Sequence, residues 1–139
     1  FLPAIIFLIA CGLAFATGTS WGTFGILIPI VVEVFPNDSE ILIIAIAACL
    51  GGAVMGDHIS PISDTTIMAS TGAQCNHINH VATQIPYALT VTVVAFVSYI
   101  LAGFIQNVVI NLIIAIVLMV AVLLVIGRLT KSKTPAGIK

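Results

Sequence analysis

Asp57 and Asp64 bracket a short polar stretch, Asp57-His58-Ile59-Ser60-Pro61-Ile62-Ser63-Asp64, that interrupts a nearly continuous apolar run. Carboxylates at bilayer depth are costly, face an interior cavity and mark functional sites. Ser60, Ser63, Thr65 and Thr66 add hydroxyls, so the stretch offers oxygen donors, which suit a hard cation such as sodium better than a soft metal. Burial in a low dielectric favours a protonated carboxyl, whereas an adjacent cation favours the ionised form. Proton and cation would therefore compete for such a site, and a site exposed alternately to the two sides of a membrane would exchange them. His58 reads either as the residue that orients the Asp57 carboxylate or as a packed polar side chain. Asp64 has a second reading too, as an acid that stabilises a helix N-terminus.

A break in a membrane helix must position this chemistry. Helix is expected from Glu40 to about Met55, weakened at Gly51, Gly52 and Gly56, and Pro61 cannot continue it because proline lacks an N–H and clashes with the preceding turn. Ser60 is then expected to cap a new half-helix with Pro61 at its first position, ending at Gly72. At such a break the first half presents unpaired carbonyls and the second half unpaired N–H groups, a design recurrent in secondary transporters. Upstream, residues 1–34 are too long for one straight crossing and too short for two. Thr17-Gly18-Thr19-Ser20-Trp21-Gly22-Thr23 lies at their middle. A re-entrant helical hairpin fits, with Thr17, Thr19 and Ser20 at a tip facing the Asp57 break. Irregular backbone at that depth requires surrounding protein or a water-filled cavity. The alternative is a glycine-eased bend whose hydroxyls bond back to their own helix.

Phe35-Pro36-Asn37-Asp38-Ser39 reads as a turn, with Ser39 capping a helix whose first turn holds Glu40. A polar loop is expected from Ala73 to His80. Two full transmembrane helices follow, 80–106 with Pro86 inside it and 108–129, and a tail at 130–139. The expected architecture is thus all-α and membrane-integral, with the broken helix at 40–72 as its third element.

Two other patterns invite chemistry. Gly18-Thr19-Ser20-Trp21-Gly22 matches G-x-S-x-G, but that motif needs a strand-turn-helix elbow, for which nothing here reads as a sheet. Cys75, His77 and His80 give a compact C-x-H-x2-H, yet zinc sites usually take four ligands at other spacings. A hydrated loop is the plainer account, and pH-sensing histidines are an alternative. Cys11, Cys49 and Cys75 are odd in number and read as isolated small apolar residues.

Of the 139 residues, 60% are hydrophobic and 6% charged, and the mean hydropathy is +1.27. A soluble domain carries about 25% charged residues, so the composition indicates an integral, multi-pass membrane protein whose first partner is the lipid bilayer. The net charge of -1 and the absence of a basic patch leave nucleic acid without an electrostatic footprint. All four basic residues, Arg128, Lys131, Lys133 and Lys139, follow the last apolar run, which by the positive-inside tendency places the C-terminus in the cytoplasm. The chain opens within an apolar run and without Met, so it is expected to be the C-terminal fragment of a single transporter domain, partnered by a missing N-terminal half.

Ala16-Thr17-Gly18-Thr19-Ser20-Trp21-Gly22-Thr23-Phe24-Gly25, Gly56-Asp57-His58-Ile59-Ser60-Pro61-Ile62-Ser63-Asp64-Thr65-Thr66, Cys75-Asn76-His77-Ile78-Asn79-His80-Val81 and Gln84-Ile85-Pro86-Tyr87 resemble the C-terminal part of NhaC-type sodium/proton antiporters. The resemblance implies a bacterial or archaeal inner-membrane antiporter built as two inverted repeats, of which this chain is most of the second. It implies that Asp57, Ser60, Ser63 and Asp64 form the broken-helix site and Thr17 to Ser20 the hairpin tip. Sodium and protons are then substrates, with no cofactor, no covalent catalysis and no metal beyond the transported sodium; a homodimer is left open. The first rival is an organic-anion exchanger of malate/lactate type coupled to sodium and protons. A passive channel is the second, disfavoured because channels show rings or repeated filter loops. An intramembrane serine hydrolase is the third.

Overall fold

The computed structural model describes residues 1–36 and 39–131. Among them the chain forms six helices and no strand: α1 Leu2–Thr17, α2 Ser20–Val34, α3 Glu40–Ile59, α4 Asp64–Gly72, α5 His77–Ile105 and α6 Val108–Lys131. Asn37 and Asp38 of the expected turn lie outside the described residues, as do residues 132–139 of the expected tail. By length and composition α3, α5 and α6 can each cross a membrane. The shorter α1 and α2 would extend about 24 and 22 Å at 1.5 Å per residue, less than the roughly 30 Å of a hydrocarbon core.

Local signals account for the ends. Gly18 closes α1 in the left-handed conformation (φ 68°), and its N–H bonds the Ala14 carbonyl. Thr19 and Ser39 cap α2 and α3, their hydroxyls accepting from the N–H groups of Gly22 and Leu42. Only Gly18 and Thr19 separate α1 from α2, so the expected seven-residue interruption is corrected to two, and Ser20 to Thr23 form the first turn of α2. Leu2, Ile6 and Ile9 from the start of α1 line one small apolar cavity with Leu27, Ile30, Val31 and Val34 from the end of α2. The two helices therefore run antiparallel as a hairpin.

The core is the seam between α1 and α3. Ala48, Gly52 and Gly56 recur every fourth residue along α3, as do Ala45, Cys49 and Ala53, and all six are buried. Cys49 and Ala53 cluster with Ala10 and Ala14 of α1, Gly52 and Gly56 face the α1 backbone, and Ala45 packs with Val31 and Phe35 at the end of α2. A Cβ on Gly52 would collide with the Phe7 carbonyl, and one on Gly56 with the Cys11 carbonyl and the Phe15 amide nitrogen. These glycines were expected to weaken the helix near Met55, but α3 runs unbroken to Ile59, because they exchange side-chain volume for backbone contact with α1. That is the way membrane helices associate when lipid removes the hydrophobic drive. The small-xxx-small spacing is the signal for it.

Two further ties complete the bundle. The Tyr99 hydroxyl on α5 donates to the Ala47 carbonyl of α3 at 3.0 Å, beside Gly51, and its ring lies 5.3 Å from that of Phe7. Helix α6 packs on α5 among the described helices.

Gly56→Leu is expected to wedge α1 from α3 and destabilise the full-length protein by at least about 1–3 kcal/mol, the usual cost of overpacking. Thermal unfolding in detergent checks this. Tyr99→Phe, which removes one hydrogen bond and little volume, should cost only about 0.5–1.5 kcal/mol by the same assay.

Candidate functional site

The break between α3 and α4 is a tight turn. The Ser60 N–H bonds the Asp57 carbonyl at 3.1 Å, ending α3, and the Ser63 N–H bonds the Ser60 carbonyl at 3.3 Å. Ser60-Pro61-Ile62-Ser63 is thus a hydrogen-bonded β-turn with proline at its second position, where the fixed φ of proline is favoured. This corrects the expectation that Ser60 caps a half-helix beginning at Pro61. Helix α4 starts at Asp64, with Ser63 at the cap position. The Ser63 hydroxyl, rather than capping, lies 2.7 Å from that of Thr65.

The tip of the α1–α2 hairpin sits against this turn. A Cβ on Gly18 would come within 2.9–3.0 Å of Ile62, so glycine is required there by space as well as by φ. The Ser60 hydroxyl donates to the Phe15 carbonyl at 2.8 Å. Phe15 lies in the last turn of α1, whose carbonyls have no partner within their own helix, and a side chain 45 residues away satisfies one of them. The structure therefore brings Ser60 and the tip together.

The hydroxyls at the tip mostly bond locally. Thr17 donates to the Leu13 carbonyl at 2.9 Å and lies 3.3 Å from the Thr23 hydroxyl; Thr23 donates to the Thr19 carbonyl at 2.8 Å. Ser20 is buried in the first turn of α2. With no strand among the described residues, the nucleophile elbow that G-x-S-x-G would need is not formed there.

The two acids differ sharply. Asp57 is 6% exposed, and its Oδ1 is buried without a hydrogen-bond partner among the described residues. It stands in the last turn of α3, where the helix dipole presents partial negative charge. A carboxylate so placed needs hydrogen-bond donors or positive charge to offset its burial, and no described residue bonds its Oδ1. Asp64 is exposed, opens α4, and its Oδ1 accepts the Thr65 N–H at 2.8 Å, a placement the α4 dipole favours. Thr65 is exposed, while Thr66 is buried and reaches the His58 carbonyl at 3.4 Å. His58 is exposed, and its ring lines a cavity of about 140 Å³ with Thr65, Thr66, Ala69, His80 and Gln84.

Among the described residues no group of three His, Cys, Asp or Glu side chains could hold a metal, so Cys75, His77 and His80 do not form the compact site their spacing suggests. The cause is that α5 begins at His77, not His80, and the His77 ring turns back to Ser70 and Pro61. Sequence reasoning also passed over Gln84 and Asn111, whose side chains hold buried polar atoms without partners. An amide within an apolar helix was the available signal.

Ser60→Ala is expected to orphan the Phe15 carbonyl and lower stability by about 1–3 kcal/mol, measured by thermal unfolding of the full-length protein.

The family model described as "Na+/H+ antiporter family" matches residues 1–104. An uncharacterized protein of Haemophilus influenzae is 54% identical over 105 residues, 75% of this chain and 20% of its own length. The malate-2H(+)/Na(+)-lactate antiporter of Bacillus subtilis is 31% identical, over 75% of this chain and 23% of its own. The arginine/ornithine antiporter ArcD of Halobacterium salinarum is 32% identical, over 73% and 22%. The chain thus spans about a fifth of the length of these curated relatives, and no solved structure matches it. Together with the three membrane-capable helices, the matches identify a multi-pass membrane protein. The chain belongs to the Na+/H+ antiporter family.

Proposed function

We propose that the protein of which this chain is part exchanges sodium for protons across the bacterial or archaeal cytoplasmic membrane by alternating access, with Asp57 as the carboxylate for which the two cations compete. The observation that carries this reading is the buried, unpartnered Oδ1 of Asp57 in the last turn of α3. A bound sodium ion or a proton supplies the positive partner that no described residue of this chain provides. The carbonyl end of α3, Ser60 and Ser63 stand nearest along the chain as further oxygen groups, with Thr17, Thr19 and Ser20 on the hairpin side. In this reading the α1–α2 hairpin is re-entrant, the chain is most of the second of two inverted repeats, the C-terminus is cytoplasmic, and Asp64 acts chiefly on its own helix.

The organic-anion alternative is favoured by the similarity to the malate-2H(+)/Na(+)-lactate antiporter of Bacillus subtilis. The corrected start of α4 weighs against it. An anion drawn to that N-terminus would meet the Asp64 carboxylate already there.

Vesicles holding the full-length protein are the test. Sodium-driven proton movement should be present in wild type and fall to the level of empty vesicles in Asp57→Asn, while Asp64→Asn retains it. A signal that requires malate, lactate, arginine or ornithine would favour the organic-substrate reading. Undiminished exchange in Asp57→Asn would place the site elsewhere.

A further inference from the structure

His77 joins the two sides of the break. Its Nε2 lies 2.7 Å from the Pro61 carbonyl oxygen and its Nδ1 3.0 Å from the Ser70 hydroxyl. The carbonyl can only accept, so Nε2 carries hydrogen. Both the charged ring and one neutral tautomer meet that requirement, and the bond to Pro61 holds in each. Ser70 is buried near the end of α4, and its single hydroxyl hydrogen goes to Nδ1 of the neutral ring or, when the ring is charged and Nδ1 donates, to the Ile67 carbonyl at 2.9 Å.

The atom held is informative. Pro61 and Ile62 are the two central residues of the turn, and the peptide between them takes no part in the turn's own hydrogen bond. It is the peptide whose flip interconverts type I and type II turns. With its carbonyl tied to His77, its N–H faces the other way and meets the Ser60 hydroxyl at 3.4 Å. Ser60 in turn caps α1. The His77 ring thereby sets which pole of the Pro61–Ile62 peptide is turned toward the hairpin tip.

We propose that His77 is a positioning residue for the candidate cation site, holding the Pro61–Ile62 peptide so that its N–H, not its carbonyl, faces Ser60. The transport consequence rests on the sodium/proton reading above; the clasp itself does not.

The test uses the full-length protein with His77→Ala, His77→Asn and His77→Gln. Glutamine places an amide nitrogen where Nε2 stands and keeps the Pro61 bond; asparagine reaches only the Ser70 side. Hydrogen–deuterium exchange over residues 60–63 should accelerate in His77→Ala and His77→Asn and return to the wild-type rate in His77→Gln. In vesicles the first two should raise the apparent KM for sodium several-fold with a smaller loss of maximal rate, and His77→Gln should restore it. Unchanged exchange in His77→Ala, or a His77→Gln variant as impaired as His77→Ala, would overturn the proposal. Exchange that follows the expected order in a protein that moves no sodium would uphold the clasp and remove the cation reading.

Discussion

The contact on which the rest depends is backbone against backbone. Gly52 and Gly56 let α3 approach α1 until no side chain fits between them at the Phe7 and Cys11 carbonyls. In lipid, apolar area gains little from burial against another apolar helix, so close dispersion contact carries the association. The seam runs toward the C-terminal ends of both helices, and there it delivers the hairpin tip to the β-turn that ends α3. The Ser60 bond to Phe15 and the seating of Gly18 on Ile62 follow from that approach.

A second economy concerns polar groups. Helix ends and turns leave carbonyls and N–H groups without partners, and in a membrane these must be satisfied internally. Ser60 and Thr66 donate to the Phe15 and His58 carbonyls in the last turns of α1 and α3, while the Thr17 and Thr23 hydroxyls are satisfied on their own backbone. Against this background of satisfied groups the bare Asp57 oxygen stands out, as do the side-chain amides of Gln84 and Asn111. The cavity beside Asn111, about 270 Å³ between α5 and α6, is lined chiefly by small and apolar residues, which gives that amide no function comparable to a carboxylate at a helix break.

Much of this was legible in the sequence. Pro61, set between Ser60 and Ser63 after Gly51, Gly52 and Gly56, marks the break, whereas Pro29 and Pro86 sit inside α2 and α5 without ending them. Ser39 before Glu40 marks a helix start, which the hydroxyl bond to Leu42 realises. What could not be read has physical causes. Proline with φ near −65° suits both the first position of a helix and the second position of a β-turn. The choice was decided by the Ser63 to Ser60 bond, which composition does not reveal. Gly51, Gly52 and Gly56 looked like weak points because propensity describes a helix alone, whereas their fitness depends on the helix opposite. Cys75, His77 and His80 read as a hydrated loop, but His77 opens α5 and its imidazole bonds back across sixteen residues, a tertiary event without local signature.

The α1–α3 seam also limits how the molecule can move. Side-chain interfaces can slide by changing rotamers, but a contact made of main-chain atoms has no rotamers to change. Sliding α1 along α3 would drive the α1 backbone against the glycine face, and the turn is held to the same pair of helices through the Ser60 bond to Phe15. Helix α4 is held to that body by three ties: from Ser63 to Ser60 at 3.3 Å, from Thr66 to His58 at 3.4 Å, and through the His77 ring between Ser70 and the Pro61 carbonyl.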